Sequence, residues 1–223
     1  LETCVLCNQA QLRDGEILGD PTEAALLVLA EKGGIDRAAV KSRWKRVAEQ
    51  PFDSGRQRMA VAVADEEGVK RALVKGSPES VLPLCKTLKG RDGARELEEA
   101  DVRRIFAWCE EQASQGLRVL VCADGAAATE DIEEDLRFLG CVAMMDPPRP
   151  EVLEAIDTCQ VAGIRVVMIT GDHKLTAVAI AKKIGMWEEE SLAFNGRELD
   201  NMTADELEDC IDSVAVFARV SPE

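Results

Sequence analysis

The chain has 223 residues, with 27 Lys and Arg against 42 Asp and Glu, and a formal net charge of −15. Its 46% hydrophobic and 31% charged residues can bury a sizeable core and exclude a disordered acidic tail. The acidic excess repels phosphate backbones and anionic lipid surfaces, so it argues against nucleic-acid partners and direct membrane contact and makes any anion site a local one.

The longest apolar runs, Ala24 to Ala30 and Leu139 to Met145, fall far short of the ~20 residues that cross a bilayer, and the N-terminus carries no signal-peptide pattern. A soluble globular protein is expected. Its eight cysteines, at positions 4, 7, 85, 109, 122, 141, 159 and 210, read as reduced thiols of a cytosolic compartment. Cys4 and Cys7 form half of a zinc pattern, but no second CxxC or CxxH occurs and His173 is the single histidine. Buried free thiols are therefore expected there, and no metal site.

In chain order, Asp20, Pro21 and Glu23 predict a helix start, with Asp20 as cap, Pro21 at the first helical position and Glu23 able to complete a capping box. The helix runs through Ala24 to Glu31 and stops at Gly33-Gly34. Trp44 to Ala48, Met59 to Ala64 and Val69 to Val74 read as strands, the last two joined by an Asp65-Glu66-Glu67-Gly68 turn. Glu98 to Gln112 predicts a helix with Val102, Ile105, Phe106 and Cys109 on one face. Leu117 to Ala123 and Phe138 to Met145 read as buried strands. After Asp146-Pro147-Pro148-Arg149-Pro150 the rhythm changes. Glu151 to Ala162 is an amphipathic helix, Arg165 to Ile169 a buried strand, Lys174 to Ile184 a helix closed by Gly185, and Val214 to Ala218 a strand preceded by a helix with a Thr203/Glu206 capping box. The fold class is thus α/β: a mixed α+β unit with an antiparallel sheet over residues 1–145, then a parallel α/β unit over 146–223. Asp146, Pro147, Pro148 and Arg149 form the boundary or hinge.

Two groups of residues could carry chemistry. Thr170-Gly171-Asp172 falls where a strand ends and a helix begins, the place where parallel α/β sheets bind anions. There Thr170 can donate to a phosphoryl oxygen, Gly171 permits close approach, and Asp172 either holds a cation or hydroxyl or is simply the helix N-cap. His173 reads as a surface residue. The second group is Phe52, Arg56, Arg58, Lys75 and Arg118, taken to meet at one edge of the sheet because Pro51 to Ser54 precedes a strand, Lys75-Gly76 ends one and Arg118 begins one. Phe52 would stack on a base and the cations would face phosphates, or else Phe52 is a core anchor and the cations are solvated. No Walker A or GxGxxG sequence occurs.

Cys7-Asn8, Gly19-Asp20-Pro21-Thr22-Glu23, Pro51-Phe52-Asp53-Ser54 with Arg56 and Met59, Lys75-Gly76-Ser77-Pro78-Glu79, Gly116-Leu117-Arg118, Asp146-Pro147-Pro148-Arg149, Met168 to His173 and Phe217-Ala218-Arg219-Val220 occur in this order. Together they resemble P-type cation-transporting ATPases, most of all the type II, calcium-transporting group, over essentially the whole chain. The resemblance implies a nucleotide-binding domain over 1–145 and the C-terminal part of a haloacid-dehalogenase-like phosphorylation domain over 146–223. It implies ATP as ligand, with Glu23 and Phe52 at the adenine, Lys75 and Gly76 lining the same pocket, and Arg56 and Arg118 toward the phosphates. Thr170, Gly171 and Asp172 would meet the transferred phosphoryl, while Arg149 and Arg219 would bring the domains together. Where the family has Arg-Lys, this chain has Arg56-Gln57, which leaves one phosphate-facing cation open unless Arg58 takes its place. The Asp-Lys-Thr-Gly-Thr segment with the phosphorylated aspartate and the Gly-Asp-Gly-x-Asn-Asp segment that holds Mg2+ do not occur in the sequence and are expected just outside its ends. The expectation is a nucleotide-binding portion without turnover of its own, a cytoplasmic domain of an integral membrane protein. Its partners would be the actuator and transmembrane domains of the rest of the pump. The alternative is a free-standing dehalogenase-like phosphatase with a cap domain, but no Asp-x-Asp nucleophile motif is present.

Overall fold

A computed structural model of the chain describes residues 1–13, 16–90, 93–127, 132–145 and 148–220, so Asp146 and Pro147 of the expected hinge lie outside the described residues. In chain order the elements are α1 (Glu2–Leu6), β1 (Gln11–Arg13), β2 (Glu16–Leu18), α2 (Pro21–Lys32), α3 (Arg37–Arg43), β3 (Lys45–Asp53), β4 (Arg58–Ala64), β5 (Lys70–Gly76), α4 (Pro78–Val81), β6 (Cys85–Gly90), β7 (Gly93–Glu96), α5 (Glu99–Ser114), β8 (Arg118–Ala126) and β9 (Leu136–Met144). There follow α6 (Glu151–Val161), β10 (Met168–Thr170), α7 (Lys174–Lys183), β11 (Leu192–Asn195), α8 (Gly196–Asp200), α9 (Ala204–Cys210) and β12 (Val214–Ala218). The chain forms two compact units, one of Leu1–Cys109 with Val119–Met144, the other of Glu110–Arg118 with Met145–Glu223.

The first unit is built on a seven-stranded sheet in the order β3-β4-β5-β8-β9-β6-β7, antiparallel except where β6 runs parallel to β9. The β4/β5 hairpin closes as the sequence predicts: the Asp65 carboxylate accepts from the N-H of Glu67 and Val69, and Gly68 takes φ +81°. Alternation along β4 and β5 supplies both faces with core. Ala60, Ala62, Ala72 and Val74 pack with Val121, Ala123 and Leu136 on one side, where Ile105 and Phe106 of α5 join them. Met59, Val61, Val63 and Leu73 pack with Leu6, Cys7 and Trp44 on the other. That second face holds α1, a five-residue helix with no capping side chain, in which Cys4 and the C-cap residue Cys7 are buried free thiols.

Helix α2 begins as predicted, with Asp20 accepting from Thr22 and Glu23 N-H and Pro21 in the first turn, and it ends at Gly33. The capping box does not form, because the Glu23 carboxylate is engaged elsewhere. Strand β3 runs through Pro51 and Phe52, which were expected to precede a strand. The register shifts between Gln50 and Asp53, and this bulge on the sheet's edge strand accommodates a residue with no N-H to give.

In the second unit the parallel sheet has the order β10-β12-β11. Ile156 of α6, Ala177 and Ala181 of α7 and Val216 of β12 centre its core. Strand β12 is buried as expected, but the Arg165 to Ile169 strand is corrected. Only Met168–Thr170 is strand, it is half-exposed, and Ile169 is 66% exposed. Thr203 and Glu206 form the predicted capping box, and Asn195 with Glu198 forms a second.

Candidate functional site

In the first unit Lys75 and Glu23 meet. Lys75 lies opposite Met59 in the β4/β5 register and therefore shares its face, toward α1 and α2. Its Nζ donates to Glu23 Oε1 at 2.5 Å, with the two side chains 8% and 15% exposed. Glu23 Oε2 accepts from the N-H of Gln9 at 2.9 Å and of Ala10 at 3.1 Å. The carboxylate thus ties α2, the loop before β1 and β5 together. The same loop is held by Asn8, whose amide donates to Cys4 O and Glu23 O.

Phe52 is 64% exposed. The core-anchor reading is therefore excluded, and the ring stands on the β3 bulge with a free face. The cations expected beside it are placed otherwise. Arg58 faces away from Lys75, since neighbouring strand positions alternate between sheet faces. Its Nε donates to Glu133 Oε2 at 2.7 Å and its guanidinium also reaches Ser80. Arg56 donates to Glu133 Oε1 at 2.7 Å and to Gln50 and the Pro51 carbonyl. Arg58 and Arg56 thus share the Glu133 carboxylate in this structure. Glu133, 7% exposed, carries no motif and was not predicted.

Gly76 is fixed by the protein itself. A Cβ there would stand 2.5 Å from Arg58 Cβ and 2.6 Å from the Gln57 carbonyl oxygen. We expect Gly76→Ala to cost about 1–3 kcal/mol through overpacking against backbone. Gly171 has no atom within 4 Å of the corresponding position, so Gly171→Ala should leave the urea midpoint of unfolding unchanged. Equal midpoint losses in the two variants would contradict this contrast.

In the second unit, Thr170 and Ala218 are register partners at the carboxyl ends of β10 and β12, which brings Thr170-Gly171-Asp172 and Arg219 to one edge of the parallel sheet. The Thr170 hydroxyl accepts from the Asp172 N-H at 3.1 Å. Asp172 is not the N-cap of α7. His173 is, its Nδ1 accepting from the Leu175 N-H, so it is a half-buried structural residue rather than a surface one. Asp172 instead takes Arg118, whose Nε and Nη2 both reach Oδ1, at 2.9 and 2.5 Å. Arg118 therefore belongs with the second unit rather than with Phe52 and Lys75. The segment before it is anchored there by Thr176, which donates to the Leu117 carbonyl, and by Lys183, which donates to that of Gln115. Arg219 holds φ +50°, a left-handed conformation of the kind that concentrates at functional turns, and its carbonyl lies 2.9 Å from where a Gly196 Cβ would stand. Arg149 and Pro148 are exposed.

Among the described residues no group of three or more His, Cys, Asp or Glu side chains is gathered as a metal ion would need. None of their helices is long and apolar enough to cross a membrane. The first unit also holds a cleft of about 750 Å³ lined by Asn8, Gln9, Glu31, Arg37, Lys41 and Arg46 among others, and no predicted site residue lines it.

A mostly antiparallel sheet unit, joined in one chain to a parallel α/β unit with a Thr-Gly-Asp turn at its strand ends, defines a two-unit α/β protein. The chain belongs to the P-type ATPases: the family model for the P-type ATPase cytoplasmic domain N matches residues 1–151, and that for haloacid dehalogenase-like hydrolases matches 89–214. Calcium-transporting ATPase 1 of Bacillus cereus is 40% identical over 228 residues, covering 100% of this chain and 26% of that protein. Calcium-transporting ATPase 1 of Lactococcus lactis is 40% identical over 234 residues, with 100% and 26% covered. The cation-transporting ATPase pma1 of Synechocystis is 42% identical over 234 residues, with 100% and 25% covered. The chain thus spans about a quarter of the length of these relatives.

Proposed function

We propose that this chain is the ATP-binding portion of a P-type cation-transporting ATPase. In the whole protein it would couple ATP hydrolysis, through an aspartyl-phosphate, to cation transport across a membrane. Ca2+ is the cation that the names of two of the three relatives support. The rest of the pump, its actuator and transmembrane domains, would be the partner, and this portion would lie on the cytoplasmic side, as the matched domain's description supports. Residues 1–145 would be the nucleotide-binding domain and 146–223 part of the phosphorylation domain, with Pro148 and Arg149 at the hinge.

The observation that carries the reading is Phe52. A large aromatic that is 64% exposed on the edge strand of the sheet offers a face on which an adenine can stack. Glu23, Lys75 and Gly76 would shape the pocket beside it, and Arg56 would serve the phosphates only on leaving Glu133. Thr170, Gly171 and Asp172 would meet the transferred phosphoryl, Gly171 leaving room for it and Arg118 holding Asp172 in place, with Arg219 at the same sheet edge. Mg2+ when bound would neutralise phosphate charge. The described residues gather no group of three or more carboxylate, thiol or imidazole ligands for it.

Base-on-aromatic stacking is worth about 1–3 kcal/mol by alanine substitution, so Phe52→Ala should weaken ATP binding by about 5- to 150-fold. Because Phe52 packs little, the urea midpoint should not move. Calorimetric titrations that give wild type and variant the same affinity would refute the assignment.

A further inference from the structure

Two thiols that the nucleotide chemistry does not use meet inside the first unit. Cys109 on α5 and Cys141 on β9 have Sγ atoms 3.8 Å apart. Cys109 is 5% exposed and Cys141 half-buried, and both are free thiols. Each sits in a regular element whose neighbours Ile105, Phe106 and Phe138 pack against the same core, so the backbone beneath each sulfur is fixed. Closing the gap to the ~2.05 Å of a disulfide asks for side-chain rotation. We propose that Cys109 and Cys141 are an oxidative modification site, forming an intrachain disulfide when the protein meets a hydroperoxide.

The chemistry balances within the pair and its oxidant. The neighbouring Cys109 sulfur, followed by burial, holds the Cys141 thiol well above the usual thiol range, so Cys141 stays protonated, and in the proposed reaction Cys109 is the sulfur that gives up its proton and attacks. The Cys109 thiolate attacks one oxygen of hydrogen peroxide, the O-O bond breaks, and the departing hydroxide takes up the proton that Cys109 lost. Cys109 is then a sulfenic acid, and one water has formed. The Cys141 sulfur next attacks the sulfenic sulfur, the S-S bond forms, and the hydroxide that leaves takes the Cys141 proton as a second water. Two thiols give up two electrons in all, and the peroxide accepts them.

The other thiols are placed less well for this reaction. Burial pushes Cys7 and Cys85 up to about 12, which keeps them protonated. Cys4 on α1 is lowered to about 7 by its hydrogen bond with Cys122, but both members of that pair are buried, at 2% and 7% exposed, whereas Cys141 of the 109/141 pair is half-buried. Cys159 and Cys210 are half-buried on α6 and α9 of the other unit. The position of the pair also gives the link a consequence. Cys109 is the residue at which the chain leaves the first unit, and Cys141 lies on the strand that ends at the second exit, Met144. A disulfide would fasten α5 to β9 at both exits.

The test treats the whole 223-residue chain with stoichiometric hydrogen peroxide, then maps peptides without reduction and follows amide hydrogen exchange. The expected product has lost two of its eight thiols, carries a 109–141 link that a dithiol reductant reverses, and exchanges more slowly in α5 and β9. In Cys141→Ala the reaction should stop at Cys109 sulfenic acid, captured by a cyclic 1,3-diketone. Oxidation confined to Cys159 and Cys210, or a Cys4 to Cys122 link with Cys109 and Cys141 still alkylatable, would overturn the proposal. So would a Cys141→Ala variant that folds and yields no trapped Cys109.

Discussion

Lys75→Ala should lower the stability of the first unit by about 3 kcal/mol, seen as a shifted urea midpoint at unchanged slope. The reason is the partner left behind. Glu23 would keep the N-H groups of Gln9 and Ala10 but lose its cation inside a site where its side chain is only 15% exposed. A charge stranded in that way costs more than the pair itself contributes, because the desolvation of both ions offsets most of their attraction. Adding Glu23→Gln should therefore recover about half of the loss, since the amide oxygen can still accept from the loop. The pairing also changes how a binding experiment must be read. A weakened nucleotide affinity in Lys75→Ala mixes pocket chemistry with a loosened loop, whereas Phe52→Ala removes an exposed ring alone. A Lys75→Ala midpoint equal to that of wild type would show that the ion pair does not hold this loop.

The second large effect belongs to Asp124, at the centre of the sheet and 2% exposed. Arg137 reaches it with Nε at 2.9 Å and Nη2 at 2.8 Å, and Arg71 reaches it at 2.9 Å while also holding Glu2. Burial alone would raise its pKa, but the hydrogen bonds from Arg137 and then Arg71 outweigh it and hold the carboxyl below its ordinary value. A carboxyl depressed on folding adds stability that is fully present above its unfolded pKa, about 3.9, and is lost as pH falls through the lower folded value. Asp124→Asn should cost about 2–3 kcal/mol at neutral pH through loss of charge-assisted hydrogen bonds. Its stability should then fall less steeply than that of wild type below about pH 4. Parallel acid-unfolding curves would contradict the assignment of that slope to Asp124.

Local chemistry was the legible part of the sequence. Asp20-Pro21 starts α2, Asp65 to Gly68 closes the hairpin and Thr203/Glu206 caps α9, because each of these devices needs only neighbours a few residues away. The same rule could have found α8, whose Asn195/Glu198 spacing is the same capping box. Partners far apart in the chain were not legible. Nothing in the spacing tells Glu23 to leave its own helix for Lys75, 52 residues on, or sends Arg58 to Glu133, 75 residues on. The Arg118 to Asp172 pair spans 54 residues and moved a predicted phosphate contact into the other unit. Strand β10 failed for another reason: apolar residues 164, 166, 167, 168 and 169 suggest a buried run, yet Ile164 and Ile169 are 58% and 66% exposed.

Titrating ATP into the isotope-labelled chain and following its amide resonances tests the reading at its base. Shifts that grow with ATP at Phe52 and its β3 bulge, and at Gly76, and that vanish in Phe52→Ala, are the predicted result. Shifts confined to the cleft beside Arg37, Lys41 and Arg46, with Phe52 unmoved at saturating ATP, would contradict it.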